Sequence, residues 1–549
     1  MAKLVFPHEQ FLNTVKSTPN AIFLNQPFQG KWHEYSWSET DKQVRSMAAY
    51  LQSLGLEPGS KVAIISKNCA HWIMSDLAIM MAGYVSVPLY PTIPADIIEY
   101  VMKHSEAKVA FVGKLDEWNK QKSGMPADVH TISFPFWTES CHNTWDDIIA
   151  KTSPLKEPSI RKSEELMTII YTSGTTGLPK GVMHTFHSFS FAITNALTAL
   201  ERLDVAEKFF SYLPLSHIAE RMLVEMGGIY SGGTIAFAES LDSFPADLQK
   251  VQPTVFLAVP RIWTKFQMGI LNKLPQNKLN LLLSIPFVSS LIRKKIKTGL
   301  GLNQAKYVLA GAAPLPAATM HWFDKLDIKI CEAYAMTENS AYSHFTRPNF
   351  RKPGYVGQPF PKVEVRISEE GEIQTRSDAN MTGYYKEPEK TTEAILTDGF
   401  LCTGDQGEVD KDGFLKITGR IKDIFKTDKG KYVAPAPIEM NLSKNTNIEQ
   451  VCVVGSNLPQ TMALVVLSAE AKNLDKKSVE NSLVSTVTEL NKALDKHEKI
   501  KKVVVMKDEW TIDNNLLTPT LKVKRNILEG RHQGSYQSWY NKEGNVIWE

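Results

Sequence analysis

A segment rich in glycine and hydroxyl residues constrains this chain more than any other. It has the sequence YTSGTTGLPKGV from Tyr171 to Val182, and the apolar run Met167–Tyr171 that leads into it predicts a β-strand. Glycine lets backbone N–H groups approach phosphate oxygens without a Cβ in the way. Hydroxyls, N–H groups and Lys180 therefore converge in one loop, a composition that suits a triphosphate.

This loop differs from a Walker A motif. That motif places Ser or Thr directly after its lysine, whereas Lys180 is followed by Gly181 and Val182. A P-loop NTPase is therefore disfavoured. Taken alone, a loop of Ser, Thr and Gly is most often a flexible surface turn, so the rest of the sequence has to decide between the two readings.

The composition describes a large globular chain. With 549 residues, 43% of them hydrophobic and 22% charged, it has room for about three or four folding units with sizeable cores. A net charge of +3 gives no reason to expect a nucleic-acid partner. The N-terminus lacks a signal-peptide pattern, and five scattered cysteines favour a reducing compartment, so we expect a cytoplasmic protein.

The first part of the chain alternates between helical and strand-like patterns. Ser38 and Asp41 form a capping signal for an amphipathic helix that ends before Gly55. Strand-like, helical and strand-like stretches follow at 62–65, 72–81 and 84–89. This alternation predicts a parallel α/β layer. The polar stretch Lys151–Glu165 predicts either a boundary between subdomains or a single loop.

The pattern of apolar and charged residues changes after Arg420. Two strand-like runs, at 451–454 and 464–467, precede a charged helical stretch at 476–497 and a strand-like run at 503–506. This order predicts a small α+β domain at the C-terminal end.

Several motifs occur in a fixed order along the chain. They are YTSGTTGLPKGV (171–182), YLPLSHIAER (212–221), GAAPL (311–315), AYAMTENSA (333–341), LCTGDQGEV (401–409), ITGRIKDIFKTDKGKYVAPAPIE (417–439) and LTPTLKVKRNIL (517–528). Over nearly its full length the chain resembles the adenylate-forming superfamily of acyl-CoA synthetases, luciferases and peptide-synthetase adenylation domains. The last two motifs are most similar to the long-chain fatty acyl-CoA synthetases.

The resemblance implies an α/β fold in two domains. Residues 1–420 would form a large adenylation domain of two α/β subdomains plus a small β-barrel, and residues 421–549 a small, mobile α+β domain. It also implies where ATP and AMP bind, namely at Thr172, Ser173, Gly174, Thr175, Thr176, Gly177, Lys180, Gly311, Ala312, Ala313, Tyr334, Asp405 and Arg420.

The resemblance also assigns the reacting centre. Thr337 and Glu338 would serve phosphate and Mg²⁺, His217 would lie beside the carboxylate and α-phosphate, and Lys522 would bond the acyl and phosphate oxygens. By themselves these residue types leave other roles open: Glu338 would be a solvated acid, His217 a structural histidine and Tyr334 a core aromatic.

Residues near the predicted domain boundary are assigned to the second step. Lys422 would be the hinge, Gly430 would line the pantetheine tunnel, and Lys426 would assist the transfer to CoA. Two positions depart from the common pattern: Ala335 follows Tyr334 where many members have glycine, and Leu521 replaces the glycine before Lys522.

The expected activity is an AMP-forming fatty acid–CoA ligase that uses ATP, Mg²⁺ and CoA. Its substrates would be ATP, CoA and a fatty acid, and the resemblance favours a long chain. The alternatives are a ligase for another carboxylic acid, transfer to a carrier-protein pantetheine, a luciferase-like oxidase, and a nucleotide sensor without turnover. Acyl chain length, pathway and oligomeric state stay open.

The segment Leu279–Ile292 is apolar and leads into Arg293, Lys294, Lys295 and Lys297. One interpretation is an amphipathic surface that makes peripheral contact with a membrane. The other is a pair of core helices, because Pro286 interrupts the apolar run and a basic helix end is common.

Overall fold

The computed structural model describes residues 4–137, 141–172, 178–202 and 205–549. The chain divides into two compact units. The first comprises Met1–Thr172, Leu178–Val365 and Thr375–Leu401, and the second contains Arg366–Gln374 and Cys402–Glu549. Among the residues described, no helix is both long enough and apolar enough to span a bilayer.

The first unit alternates helices with strands. Its helices are α1 (Pro7–Ser17), α2 (Trp37–Ser53), α3 (Ala70–Ala82), α4 (Ala95–Ser105), α5 (Trp118–Gln121), α6 (Trp145–Lys151), α7 (Phe186–Ala199), α8 (Ile218–Glu220), α9 (Gly227–Ser231), α10 (Phe244–Val251), α11 (Pro260–Lys273), α12 (Gln276–Ser284), α13 (Val288–Gly299), α14 (Ala317–Asp324) and α15 (Pro388–Ala394). A π-helix, Arg221–Met226, lies between α8 and α9, and a 3₁₀ helix spans Thr337–Asn339.

The strands up to Tyr384 are mostly short. They are β1 (Ile22–Phe28), β2 (Lys31–Ser36), β3 (Lys61–Ile65), β4 (Val85–Leu89), β5 (Val109–Val112), β6 (His130–Ser133), β7 (Asn143–Thr144), β8 (Leu166–Thr172), β9 (Lys180–Thr185), β10 (Lys208–Ser211), β11 (Thr234–Phe237), β12 (Val255–Ala258), β13 (Tyr307–Ala310), β14 (Ile330–Tyr334), β15 (His344–Phe345), β16 (Gln358–Pro359), β17 (Glu364–Ile367), β18 (Glu372–Arg376) and β19 (Gly383–Tyr384).

Two large sheets form the frame of the first unit. One has the strand order β16-β15-β14-β13-β12-β10-β11-β1-β2, and its six strands from β14 to β1 are parallel. The other has the order β19-β9-β8-β4-β3-β5-β6-β7, and its strands from β8 to β7 are parallel. Parallel strands need both faces covered, which explains continuous apolar runs such as VAII in β3. The predicted parallel α/β arrangement is confirmed.

The connection between α6 and β8 is a loop inside one sheet. Strands β7 and β8 both belong to the eight-stranded sheet, so the polar stretch Lys151–Glu165 does not separate two sheets. Helix α3 confirms the helix predicted at 72–81, and each of its thirteen residues is buried. A helix that is apolar nearly all round is buried on every side, and α3 ends where Gly83 takes a left-handed φ of 94°.

The start of α2 differs from the predicted capping signal at Ser38 and Asp41. Ser36 is the N-cap, since its Oγ accepts the Glu39 N–H at 3.2 Å and the Glu39 carboxylate accepts the Ser36 N–H at 2.8 Å. Ser36 has the extended backbone that an N-cap requires, whereas Ser38 already lies in the helix. Asp41 instead accepts from Nε of Arg45 at 2.8 Å.

The second unit is built from small sheets and short helices. Its later strands are β20 (Leu401–Val409), β21 (Leu415–Arg420), β22 (Phe425–Lys426), β23 (Tyr432–Val433), β24 (Ile448–Val454), β25 (Thr461–Leu467), β26 (Ile500–Val505) and β27 (Val546–Trp548). Its helices are α16 (Pro435–Leu442), α17 (Lys476–Leu490), α18 (Arg525–His532) and α19 (Tyr536–Asn541). The strand orders are β17-β18-β20-β21, β22-β23 and β24-β25-β26-β27.

The predicted C-terminal α+β arrangement is confirmed with one correction. Helix α17 ends at Leu490 and does not continue to residue 497. Asn491 explains the early end, because its side chain bonds both backbone groups of Ile500, each at 2.9 Å. These bonds turn the chain into β26. Strands β17, β18, β20 and β21 form a four-stranded sheet, and the small β-barrel that the resemblance implies stays a prediction.

Two nearby glycines allow the cost of backbone strain to be compared with the cost of steric overlap. Gly354 and Gly357 both have left-handed φ values, 87° and 97°, but only a Cβ on Gly357 would overlap a neighbour, the Phe345 carbonyl. We expect Gly354→Ala to cost about 1–2 kcal/mol of stability and Gly357→Ala about 1–3 kcal/mol more. The thermal unfolding midpoints of the two variants test this, and equal midpoints would contradict it.

Candidate active site

Several predicted site segments lie at one edge of the nine-stranded sheet. Strand β10 is followed by the segment that contains His217, which we name the His217 segment. Strand β13 is followed by Gly311–Ala313, and strand β14 by the segment that contains Thr337. These strands run parallel, so their carboxyl ends lie at the same edge. Ligands of open α/β sheets bind outside this edge. The fold therefore brings together motifs that are more than a hundred residues apart in sequence.

The loop after β13 is open to solvent. Ala312 and Ala313 are exposed, and Ala312 has a left-handed φ of 66°. Tyr334 is the last residue of β14 and faces His344 of β15, with the ring centroids 6.0 Å apart. Tyr334 is half-buried, so part of its ring is accessible at this edge.

Glu338, Tyr384 and Lys180 form a compact cluster. Tyr384 donates its hydroxyl to Oε1 of Glu338 at 2.8 Å, and Nζ of Lys180 lies 4.7 Å from the centre of the Tyr384 ring. Strand pairing sets this geometry, because β9 pairs with β8 so that Lys180 faces Thr172, and with β19 so that Val182 faces Tyr384. Desolvation, followed by the Glu338 charge, raises the pKa of Tyr384.

His184 holds the Thr337 turn in place. Its Nε2–H donates to the Thr337 carbonyl at 2.7 Å, and its Nδ1 lies 3.1 Å from the hydroxyl oxygen of Ser340. Burial lowers the pKa of His184 to about 4, which keeps the ring neutral and this pairing intact near neutral pH. The position of Thr337 and Glu338 thus depends on a histidine in β9.

Hydrogen bonds of its own side chains hold the His217 segment in place. Nδ1 of His217 accepts the Ala219 N–H at 3.2 Å, which makes His217 the N-cap of α8. Three residues on, Glu220 is fully buried and accepts from the Ser211 hydroxyl at 2.9 Å and the Tyr212 N–H at 3.0 Å. Burial raises the pKa of Glu220 to about 8, so this carboxyl is protonated at neutral pH.

Arg221 anchors the π-helix that follows. Its Nη2 donates to both carboxylate oxygens of Asp76, at 2.7 and 2.6 Å, and its Nη1 donates to the Thr168 hydroxyl at 2.6 Å. Its Nε contacts Glu225 at 3.3 Å. Arg221, Asp76 and Glu225 are fully buried, and desolvation, then Asp76, raises the pKa of Glu225. Two acidic side chains therefore contact one buried guanidinium.

In the second unit, Asp405 and Arg420 are partners across β20 and β21. Nε of Arg420 donates to Oδ1 of Asp405 at 2.8 Å. The electrostatic influence of both residues reaches Lys522. Lys522 is exposed as a residue. Desolvation lowers the pKa of its ammonium, the charge of Arg420 lowers that pKa further, and the charge of Asp405 raises it. The unit thus gathers three predicted site residues.

A tight turn presents Lys522. The Thr518 N–H donates to the Lys522 carbonyl at 2.8 Å, and the Lys522 N–H donates to the Thr518 hydroxyl at 3.0 Å. Leu521 has a left-handed φ of 60° and is 63% exposed. A left-handed φ favours glycine. This preference explains the glycine that is common at this position in the family that the chain resembles.

The remaining predicted residues surround the hairpin β22–β23. Lys422 is exposed in a short 3₁₀ helix, and Nζ of Lys426 lies 4.8 Å from the centre of the Tyr432 ring. Gly430 has a left-handed φ of 70°, and its N–H donates to Thr427 at 3.0 Å to close the turn. Ser173, Gly174, Thr175, Thr176 and Gly177 lie outside the described residues.

Residue patterns predicted the site motifs but not the residues that hold those motifs in place. Asp76, His184 and Tyr384 were not predicted as site residues, and neither was Arg221. Asp76 had a detectable signal, since a single acid inside the apolar helix AHWIMSDLAIMMA implies a buried partner. His184 and Tyr384 lie in strands whose pairing only the tertiary structure shows.

The donor set near Glu338 fits a magnesium ion held mainly by substrate. Within the described residues, no group of three or more His, Cys, Asp or Glu side chains forms a cage. Mg²⁺ commonly takes one or two carboxylates and completes its shell with water and phosphate oxygens. Glu338 supplies one such carboxylate.

Comparisons with known proteins agree along the whole chain. The profile of the AMP-binding enzyme family matches residues 11–385, and that of the AMP-binding enzyme C-terminal domain matches residues 422–543. Long-chain-fatty-acid–CoA ligase FadD15 of Mycobacterium bovis is 30% identical over 99% of this chain and 97% of its own. Long chain acyl-CoA synthetase 5 of Arabidopsis thaliana is also 30% identical, over 96% and 91%.

Solved structures share the fold. The anthranilate CoA ligase AuaEII, in complex with anthranoyl-AMP, superposes with a TM-score of 0.80 at 18% identity and covers 97% of this chain and 99% of its own. O-succinylbenzoate coenzyme A synthetase of Bacillus subtilis, in complex with AMP, gives a TM-score of 0.74 at 20% identity, with 95% and 98% coverage.

Buried Glu220 predicts a specific dependence of stability on pH. The folded chain keeps Glu220 protonated to about pH 8, whereas its ordinary pKa is 4.5. Between these values folding takes up a proton, so the free energy of unfolding falls as the pH rises and levels off above about pH 8. We expect Glu220→Gln to flatten this slope in urea unfolding at pH 5–9. Exposed Glu164→Gln should leave it unchanged, and equal slopes for both variants would contradict the assignment.

Proposed function

The chain belongs to the AMP-binding enzyme family, and from that membership we propose that it is an AMP-forming fatty acid–CoA ligase. The enzyme activates a fatty acid as an acyl-adenylate with release of pyrophosphate, then transfers the acyl group to CoA. The strongest support is the similarity to long-chain-fatty-acid–CoA ligases over 99% of the chain. A long-chain acid is accordingly the proposed substrate class.

The first half-reaction needs positioning and charge stabilisation. The substrate carboxylate attacks the α-phosphorus of ATP, the bond to the bridging oxygen breaks, and pyrophosphate leaves. Thr172, Lys180 and the loop between them hold the leaving phosphates, while Gly311–Ala313 and Tyr334 hold adenine. Glu338 would hold Mg²⁺, which would supply a counter-charge for the phosphates. Tyr384 orients the Glu338 carboxylate.

His217 and Thr337 complete the reacting centre. His217 screens the carboxylate and the α-phosphate, and Thr337 contacts phosphate oxygens. Asp405 accepts from the ribose hydroxyls with Arg420 beside it, and this role is supported by their mutual bond. The Lys522 ammonium offsets negative charge that develops on the α-phosphate. Preorganised groups of this kind carry most of the acceleration in such reactions.

The second half-reaction transfers the acyl group from adenylate to sulfur. The CoA thiolate attacks the acyl carbon, AMP leaves, and a thioester forms. In the proposed functional division, residues 1–420 form the adenylation domain and residues 421–549 form a mobile domain that turns at Lys422. Gly430 lines the path of pantetheine, and Lys426 assists this step.

Lys522 is preferred to its neighbours on structural grounds. Nζ of Lys524 donates to Asn515 at 2.6 Å, and Arg525 is paired with Glu439 and the Val453 carbonyl. These contacts hold the second unit together. Lys522 is exposed as a residue, and the charges of Arg420 and Asp405 act on its ammonium.

The proposed cellular setting is the cytoplasm, which the five scattered cysteines favour. Peripheral contact with a membrane is proposed because long fatty acids partition into lipid. ATP and CoA are the other small-molecule partners of the ligase.

Product analysis tests the proposed activity. The protein is incubated with MgATP and CoA and with acids from acetate to long-chain fatty acids, and products are identified by mass spectrometry. We expect acyl-CoA from long-chain acids, and acyl-adenylate plus pyrophosphate when CoA is omitted. Thioesters from short or aryl acids alone would refute the substrate class. A lack of acid-dependent pyrophosphate release would favour a nucleotide sensor.

Replacement of Lys522 should separate the two half-reactions. Lys522→Ala removes a charge needed only while the adenylate forms, so we expect pyrophosphate release to fall roughly 10²- to 10³-fold. Thioester formation from supplied acyl-adenylate should stay near the parent rate. Lys524→Ala is the matched control and should change neither rate substantially. Equal losses in both half-reactions would overturn the role of Lys522.

A further inference from the structure

A long stretch of the first unit carries basic residues without acids. Residues 248–323 contain ten Lys and Arg and no Asp or Glu, in a chain that has 59 acidic residues and a net charge of only +3. Helices α11, α12 and α13 lie in this stretch, and α14 begins in it. The net positive charge of the protein therefore comes from this stretch, because acidic residues outnumber basic ones in the rest of the chain.

Helices α12 and α13 form a hairpin with one apolar face inside and another outside. On the inner face Leu279 is buried, and Leu283, Ile292 and Ile296 pack against the same core. On the outer face Leu281, Ile285, Phe287 and Leu291 are 63%, 40%, 89% and 69% exposed. We name these four side chains the hairpin tip.

The turn between the helices projects its aromatic ring into solvent. Phe287 follows Pro286 and has a left-handed φ of 64°, which is a genuine outlier for a bulky residue. Backbone strain of this kind collects at functional segments. An exposed phenylalanine on a strained turn gains nothing from the protein core.

Contacts at the base hold the hairpin firmly. Nε1 of Trp322 donates to Gln276 at 2.8 Å, and Nε of Arg293 donates to the Lys325 carbonyl at 3.0 Å. Lys297 pairs with Asp327 at 2.9 Å. Lys278, Lys294 and Lys295 are exposed beside the hairpin tip and have no ion pair within the described part of the chain.

We propose that the hairpin tip docks the protein on an anionic lipid surface. A protruding group of large apolar side chains flanked by lysines matches the boundary between headgroups and acyl chains, where the apolar groups insert and the lysines meet lipid charge. The charge complementarity favours lipid over a second copy of this chain, which presents the same positive charge. The inference deepens the peripheral membrane contact proposed above by naming its surface and its lipid.

Vesicle flotation of the full chain tests the surface. Vesicles of neutral lipid are compared with vesicles containing 30% anionic lipid at low and high salt. We expect binding only to anionic vesicles at low salt. Lys294→Glu/Lys295→Glu should weaken binding at least about 25-fold, roughly fivefold for each lysine lost. Leu281→Ser/Phe287→Ser/Leu291→Ser should abolish detectable flotation.

Matched variants make the result specific. Lys156→Glu/Lys162→Glu and Ile160→Ser/Leu241→Ser alter exposed residues elsewhere in the first unit and should float like the parent protein. Equal loss in these controls, unchanged flotation of the hairpin variants, or failure of the parent to bind anionic vesicles would overturn the proposal. A concentration-dependent dimer that the Phe287 variants abolish would instead assign the face to a second copy.

Ligase activity is measured separately, with a soluble acid and no lipid. Hairpin variants should keep the parent rate there, because none of their substituted residues belongs to the proposed active site. Loss of vesicle binding with full activity supports the docking role. If the parent protein is inactive but still binds vesicles, the proposed ligase function is contradicted and the proposed lipid-docking surface is not.

Discussion

The buried ion pair between Arg221 and Asp76 is the interaction on which the first unit depends. Arg221 follows the His217 segment, which comes from the nine-stranded sheet, and it bonds Thr168 of β8 and Ser86 of β4 in the eight-stranded sheet. One guanidinium thus ties the two sheets together beneath the carboxyl edge. Removing one partner from a buried pair typically costs about 3–5 kcal/mol, because it leaves the other charge unpaired.

The surroundings of this pair explain the π-helix at Arg221–Met226. A π-helix shifts the register of the side chains and is common at functional sites. Here it directs Arg221 toward Asp76 while His217, one turn earlier, remains half-buried at the sheet edge. Burial raises the pKa of Glu220 to about 8 and also raises the pKa of Glu225. The segment that follows His217 therefore packs onto a polar interior.

The sequence predicted the alternation of helices and strands and the order of the motifs. Strand β8 before the glycine-rich loop, helix α3 and the C-terminal α+β arrangement are confirmed, because their apolar periodicity is strong. The cap of α2 and the end of α17 were predicted wrongly. Both depend on local hydrogen bonds, of Ser36 with Glu39 and of Asn491 with Ile500, that compete with equally plausible neighbours.

The ordered motifs by themselves indicated the chemistry, since glycine, hydroxyl and lysine residues in one loop suit phosphate, and six further motifs in order resemble one family. Only the tertiary structure decided how these residues are supported. Tyr384 reaches Glu338, and His184 reaches Thr337, across strands that are distant in sequence. It also decided which side of the apolar hairpin faces solvent, because periodicity gives the two faces of a helix but not the core that covers one of them.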